Sequence, residues 1–173
     1  MPPGDPGAQR DQGGVSSFSM SLEKILAPDA VIPALRVNGK KQALQELSER
    51  AADVAKLPAR EIFDAILQRE RLGSTGVGDG VAIPHGKLAK CQQIFGVFAR
   101  LERAIDFEAP DALPVDLIFM LIAPEAAGAD HLKALAASAR LLRNGGVAPQ
   151  LRATKDPVAL YALLTMAPTS NAA

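Results

Sequence analysis

The residues from Arg69 to Leu88, which read RERLGSTGVGDGVAIPHGKL, combine several residue types that could act on a phosphate group. They include two hydroxyl side chains, five glycines and, near the end, His85. Glycines at such spacing let the backbone approach a ligand closely and turn its N–H groups inward, and a loop of this kind beside a basic residue is typical of phosphate binding. The loop residues that we expect to contact phosphate are Ser74, Thr75, Gly76, Gly78 and Gly80.

The two commonest nucleotide-binding loops do not fit this segment. A Walker A loop requires G-x-x-x-x-G-K-[ST], but Gly80 and Gly86 enclose five residues, and Lys87 is followed by Leu88 instead of a hydroxyl residue. A dinucleotide-binding loop requires a third glycine where Val81 stands, and it should follow a strand. The segment is therefore interpreted as a phosphate-compatible loop that leads to a single imidazole.

His85 stands between Pro84, which restricts the backbone before it, and Gly86, which leaves space after it. A free imidazole has a pKa of about 6.5, so the ring is mostly neutral at pH 7 and one nitrogen is a nucleophile without an activating base. Such a ring can accept a phosphoryl group. The alternative is that His85 is a partly buried turn residue with no chemical role, as many histidines are.

The elements around this loop follow from apolar periodicity and from proline and glycine positions. A strand buried on both faces is predicted for Val115 to Ala123, an apolar run that only Asp116 interrupts. Alternating strands and helices predict an α/β domain with a mixed, mostly parallel sheet and helices on both faces. The predicted strands are 31–37, 94–101 and 115–123, and the predicted helices are 41–55, 58–73, 130–144, 147–154 and 156–165.

Two further residues have positions from which they could reach the loop. Arg69 lies in the last turn of the helix before it, where a solvent-exposed role is the simplest interpretation. Its neighbour Glu70 could orient Arg69 or accept hydrogen bonds from the loop. His131 follows Asp130, a predicted N-cap, just after the buried strand. Ligands of open α/β sheets bind beyond strand C-terminal ends, where helix N-termini also favour anions.

Composition indicates one domain with an aliphatic core. The chain has 173 residues, is 48% hydrophobic and has a formal net charge of zero, which gives no general attraction to nucleic acid. The single cysteine, Cys91, fits a reducing compartment, and with two histidines it makes a structural metal site improbable. No stretch is long and apolar enough to be a membrane helix or a signal peptide. We expect a disordered extension at 1–20, a folded domain at 21–166 and a tail at 167–173.

Four segments together resemble one protein family. They are the Arg69-Glu70 pair, the run GSTGVGDGVAIPHGKL from Gly73 to Leu88, PVDLIFMLIAP from Pro114 to Pro124, and HLKALA from His131 to Ala136. The chain is similar in these segments to the enzyme IIA components of the bacterial phosphoenolpyruvate phosphotransferase system. The resemblance is to the nitrogen-regulatory branch, which is related to the fructose and mannitol IIA domains.

This resemblance implies the mannitol/fructose-type IIA fold and a role for each site residue. His85 would accept a phosphoryl group at Nε2 from an HPr-like phosphocarrier protein. Arg69 would contact the phosphate, and His131 would donate a hydrogen bond to the phosphoryl group or the transition state. No cofactor and no metal ion would be required, and the protein would be cytoplasmic.

Three functions remain open from the sequence. The resemblance favours a regulatory phosphocarrier whose phosphorylation state controls target proteins such as kinases or transporters, in response to nitrogen, carbon or potassium status. The second is a sugar-transporting IIA subunit that passes phosphate to a IIB domain. The third is a protein-binding module without phosphoryl chemistry, in which His85 would be structural. The oligomeric state cannot be derived from the sequence.

Overall fold

The computed structural model describes residues 21–166, so the predicted extension at 1–20 and tail at 167–173 lie outside the described residues. The strands are β1 (Val31–Leu35), β2 (Gly76–Gly78), β3 (Val81–Ala82), β4 (His85–Leu88), β5 (Phe95–Ile105) and β6 (Val115–Pro124). The helices are α1 (Lys40–Ala55), α2 (Ala59–Arg71), α3 (Gly128–Leu142), α4 (Ala148–Ala153) and α5 (Pro157–Met166).

All six strands form one sheet in the order β1-β5-β6-β3-β2, and β4 also pairs with β6. The two longest strands, β5 and β6, are antiparallel neighbours. The pairs β1–β5, β3–β6 and β4–β6 are parallel, whereas β2 and β3 form a small antiparallel pair. These pairings confirm the prediction of a mixed sheet in which parallel pairs are the majority.

Strand β6 is the centre of the hydrophobic core. Every residue from Leu117 to Ala123 has no solvent exposure, although successive side chains point to opposite faces of the sheet. Both faces of the sheet are therefore covered, which explains why β6 is a nearly continuous apolar run instead of an alternating pattern. On the neighbouring strand β5, the segment from Val97 to Ala99 is equally buried.

Helices α1 and α2 pack on each other, and α2 also packs against β4. Each helix buries one apolar face, with Leu44 and Leu47 on α1 and Ile62 and Ile66 on α2 all fully buried. The contact of α2 with β4 is close at one point, where a Cβ on Gly86 would lie 3.3 Å from the backbone and the side chain of Ala65. Glycine at this position lets β4 lie directly on α2.

The structure changes several predicted boundaries. Pro58 is the N-cap of α2 instead of a first-turn residue, and α3 begins at Gly128 with Ala127 as its N-cap, so Asp130 is not the cap. Strand β5 continues to Ile105, beyond the predicted end at Leu101. The short strands β2, β3 and β4 were not predicted, because segments of two to four residues become strands only through pairing with a distant neighbour.

No helix between residues 21 and 166 is both long enough and apolar enough to cross a membrane.

Replacing Phe119 of β6 with alanine should lower the free energy of unfolding by about 3–5 kcal/mol, because this fully buried ring would leave a cavity that the core cannot fill. Urea unfolding monitored by circular dichroism measures the change. The matched control is Leu113→Ala, since Leu113 is 51% exposed and its removal should change stability by less than about 0.5 kcal/mol. Equal effects of the two substitutions would show that β6 is not the centre of the core.

Candidate functional site

The two histidines of the chain lie side by side, with ring centroids 5.4 Å apart and ring planes tilted by 55°. His85 is the first residue of β4, where it pairs with Leu121 of β6. His131 belongs to the first turns of α3, the helix that follows β6. Strand β6 therefore positions both rings, one through its neighbour in the sheet and the other through its chain connection.

The rings share the wall of a surface cavity of about 360 Å³. The residues that line this cavity are Ala65, Gln68, Arg69, Leu72, His85, Gly86, Lys87 and His131. Three residues predicted as site residues, Arg69, His85 and His131, thus meet in one place. The cavity combines two imidazoles and two cationic side chains, a combination that suits an anionic group.

A larger cavity of about 670 Å³ lies at the C-terminal end of α1 and the connection from β4 to β5. Its wall includes the buried thiol of Cys91 and no histidine. Burial raises the pKa of Cys91, so the thiol is protonated and weakly nucleophilic at neutral pH. The chemistry of the smaller cavity therefore makes it the better candidate for a functional site, despite its size.

A hydrogen bond determines which nitrogen of His85 is free. Nδ1 of His85 lies 2.9 Å from the carbonyl oxygen of Ile83. A carbonyl only accepts hydrogen bonds, so Nδ1 carries the proton and donates it. In the neutral ring, Nε2 then has no proton and retains its lone pair. The backbone of Ile83 thus selects the tautomer in which Nε2 is the nucleophilic atom.

Both rings are held in the neutral form. Burial is the largest influence on His85 and lowers its pKa, with the positive charge of Arg69 acting in the same direction, although the hydrogen bond to Ile83 and the charge of Glu70 oppose them. Burial also lowers the pKa of His131, assisted by His85 and Lys87. Neutral imidazoles at pH 7 allow Nε2 of His85 to act as a nucleophile without prior loss of a proton.

His131 is far more buried than its position in the first turns of a helix would suggest, with only 6% of its surface exposed. Its Nδ1 atom is buried and has no hydrogen-bond partner among the described residues. Buried polar atoms usually have partners, and those without one often belong to functional sites. At the cavity wall, His131 therefore combines a buried ring with a ring nitrogen that has no partner among the described residues.

Arg69 lies in the last turn of α2 and donates a hydrogen bond of 2.9 Å from one terminal nitrogen to the carbonyl of Gly73. A guanidinium has five N–H donors, so this bond orients the group and leaves donors for an anion. Lys87 also lines the cavity, although the sequence analysis did not identify it as a site residue. No local pattern identifies it, because β4 becomes a strand only through its pairing with β6.

The predicted phosphate-loop residues do not line the cavity. The hydroxyl of Ser74 donates to the carbonyl of Phe107 at 2.8 Å, and the backbone N–H and hydroxyl of Thr75 both donate to Glu70. Both hydroxyls of the loop therefore have hydrogen-bond acceptors within the protein. The residues that the structure places outside the cavity wall are Ser74, Thr75, Gly76, Gly78 and Gly80.

Between residues 21 and 166, no three side chains of the types His, Cys, Asp or Glu are close enough together to hold a metal ion.

The fold and the site together define a mixed α/β domain in which a neutral histidine ring lines a cavity with two cationic side chains. The sequence profile of the phosphoenolpyruvate-dependent sugar phosphotransferase system, EIIA 2, matches residues 24–166. The chain therefore belongs to the EIIA type 2 family of this phosphotransferase system.

Individual relatives agree with this assignment. A nitrogen regulatory protein from Bradyrhizobium diazoefficiens is 57% identical over 153 residues, which cover 88% of this chain and 100% of the relative. The crystal structure of nitrogen regulatory protein IIA-Ntr from Neisseria meningitidis superimposes with a TM-score of 0.78 at 34% identity, covering 82% of this chain and 97% of that chain. The mannitol IIA of Escherichia coli shares the fold, with a TM-score of 0.69 at 20% identity over 80% of this chain and 97% of that chain.

Burial of neutral imidazoles should make stability depend on pH. His85 and His131 have pKa values below 6.5 in the folded protein, so the unfolded chain binds more protons than the native one as the pH falls below 6.5. The free energy of unfolding should therefore be highest above that pH and decrease as the pH falls through the folded-state values. Histidine C2-proton resonances titrated by NMR, with urea unfolding at matched pH, measure both effects. Titration midpoints at or above 6.5 would contradict the expected burial effect.

Proposed function

We propose that this protein is a phosphocarrier in which Nε2 of His85 accepts a phosphoryl group from the phosphohistidine of an HPr-like protein. The observation that carries the proposal is the hydrogen bond from Nδ1 of His85 to the carbonyl of Ile83, which leaves Nε2 unprotonated beside Arg69 and His131. Family membership supports it, since phosphotransferase systems move phosphoryl groups from phosphoenolpyruvate through protein carriers.

The reaction is an in-line transfer between two ring nitrogens. The bond from Nε2 of His85 to phosphorus forms as the donor's nitrogen–phosphorus bond breaks, and the electron pair of the broken bond stays on the donor nitrogen. Because the attacking and leaving atoms are chemically alike, the transfer is readily reversible. The neutral state of His85 matters here, since a protonated Nε2 has no lone pair to attack with.

The surrounding groups stabilise the charge of the phosphoryl group in transit. Arg69 offers planar N–H donors that match phosphoryl oxygens, and His131 offers a ring N–H from the same cavity wall. Lys87 adds a second positive charge to the same wall. Such transfer depends on positioning and electrostatic stabilisation, and no cofactor or metal ion is required.

The regulatory branch is the better supported role for this carrier. The Bradyrhizobium relative, at 57% identity, is named a nitrogen regulatory protein, and so is the Neisseria protein whose structure matches. We infer that the phosphorylation state of His85 is read by target proteins in the cytoplasm.

The second candidate is a sugar-transporting IIA subunit, which the shared mannitol IIA fold keeps open. Rapid transfer of the label from this protein to a fructose-type IIB domain would favour that second role.

Incubation with phosphoenolpyruvate, enzyme I and an HPr-type carrier should attach one acid-labile phosphoryl group to this protein, and His85→Ala should prevent the labelling. The reason is that the carbonyl of Ile83 holds His85 in the tautomer whose Nε2 can attack phosphorus. Radiolabel retained on the protein and intact mass measure the product. Label that persists in the His85→Ala variant would place the acceptor elsewhere, and an unlabelled wild-type protein would leave only a binding role.

Arg69→Ala and His131→Ala should each slow the transfer by about 10²–10³-fold, the usual effect of removing one donor from a transition state. Quench-flow measurement of the labelling rate at a saturating donor concentration tests this. Arg71→Ala is the matched control, because Arg71 is exposed in the same helical turn and does not line the cavity. A rate for either variant that equals the rate of the control would exclude that residue from the transfer.

A further inference from the structure

A largely buried ion pair joins the start of α1 to the last turn of α2, next to Arg69. Nζ of Lys40, at the start of α1, is 2.9 Å from Oε2 of Glu70, and the two side chains are only 17% and 2% exposed. Burial of a carboxylate is unfavourable unless it is paired and fully hydrogen-bonded. Glu70 meets that condition, since it also accepts from the backbone N–H of Thr75 at 3.2 Å and from the hydroxyl of Thr75.

These contacts continue without a break to the imidazole of His85. The carbonyl of Thr75, the residue that Glu70 holds, accepts a hydrogen bond of 3.0 Å from the N–H of Ile83. The carbonyl of Ile83 in turn accepts the 2.9 Å bond from Nδ1 of His85. A single connected path therefore runs from Lys40 through Glu70, Thr75 and Ile83 to the ring that carries the proposed nucleophile.

We propose that Glu70, held in place by Lys40, is a positioning residue that sets the orientation and the tautomer of His85 for phosphoryl transfer. The inference deepens the proposed function and rests on it. Glu70 does not line the cavity and acts only through Thr75 and Ile83.

The physical reason is that a neutral imidazole has two tautomers, and only one of them offers Nε2 as a nucleophile. The carbonyl of Ile83 selects that tautomer only if the segment from Thr75 to Ile83 keeps its place relative to α2. Glu70 is the α2 side chain that fixes this segment, through two hydrogen bonds to one residue. A carboxylate that orients a catalytic histidine acts by the same logic in hydrolase triads, although there the contact is direct.

A second set of contacts ties the same loop to Lys40. The ammonium group of Lys40 lies 4.7 Å from the centre of the Phe107 ring, and the carbonyl of Phe107 accepts the hydroxyl hydrogen of Ser74 at 2.8 Å. Ser74 and Thr75 are thus each hydrogen-bonded to a residue that contacts Lys40. Glutamine has nearly the same volume as glutamate, so a Glu70→Gln substitution would keep the packing here. It would remove the negative charge that pairs with Lys40.

At the ring, the charge of Glu70 acts against burial. Burial dominates the pKa of His85 and lowers it, whereas the carboxylate of Glu70 raises it. Glu70 therefore also offsets part of the positive charge of Arg69 at the ring.

The experiment compares Glu70→Gln with Glu61→Gln. Both residues belong to α2 and both pair with a lysine at 2.9 Å, but the Glu61–Lys90 pair is exposed and outside the cavity wall. The full-length proteins are labelled by phosphoenolpyruvate, enzyme I and an HPr-type carrier, and kcat and KM for the carrier are measured. We expect Glu70→Gln to lower kcat by about 10–100-fold, as for other supporting carboxylates, with KM nearly unchanged. Glu61→Gln should match the wild type.

A spectroscopic measurement tests the mechanism without any transfer. Nitrogen-15 NMR of the unphosphorylated protein should show His85 as the Nδ1–H tautomer in the wild type and in Glu61→Gln, and as a tautomer mixture in Glu70→Gln. Wild-type kcat together with a wild-type tautomer in folded Glu70→Gln would overturn the proposal. A lower kcat with an unchanged tautomer would also overturn it, because Glu70 would then act in another way.

Thr75 provides a second test if Glu70→Gln does not fold. Thr75→Val removes the hydroxyl that donates to Glu70 and retains the shape, whereas Thr75→Ser retains the hydroxyl. The first should shift the tautomer and lower kcat, and the second should not; identical behaviour of the two would contradict the proposed path. If the wild-type protein takes no label, the proposed function fails, while the tautomer measurement still decides whether Glu70 positions His85.

Discussion

The burial of β6 on both faces is the constraint on which the rest of the structure depends. Because this strand has no exposed face, its neighbours β5, β3 and β4 must pair with it closely, and helices must cover the sheet on each side. The parallel pairing of β4 with β6 places His85 opposite Leu121. The chain leaving β6 turns into α3 and carries His131 to the same end of the strand. The packing of apolar side chains around β6 thus brings the two imidazoles together.

The site balances desolvation against positive charge. Both imidazoles are buried enough to stay neutral, and the adjacent Arg69 and Lys87 make the cavity favourable for an anion. The negative charge of Glu70 is outside the cavity wall and is paired with Lys40, which weakens its effect on an anion in the cavity. The last turn of α2 thus places the cation Arg69 at the cavity wall, while the neighbouring anion Glu70 accepts hydrogen bonds from the loop residue Thr75.

The loop between α2 and β4 illustrates how one pattern can have two physical causes. Glycines and hydroxyl residues are common in phosphate loops, and the sequence predicted such a role for Ser74 and Thr75. In the structure their hydroxyls bond to Phe107 and Glu70, and the glycines around Asp79 form a tight turn with positive φ at Gly78 and Gly80. Turns and phosphate loops need the same residue types, so only the positions of distant partners separate the two interpretations.

The sequence by itself determined the class of fold, the strong helices and strands, and the identity of His85 as the residue that could do chemistry. These features are local, because apolar periodicity and the Pro-His-Gly context involve only residues that are close together in the sequence. Only the tertiary structure decided that His131 is buried beside His85, that Lys87 shares the cavity, and that Glu70 supports the loop. Each of these depends on segments far apart in the chain, which the packing around β6 brings together and which no local pattern can specify.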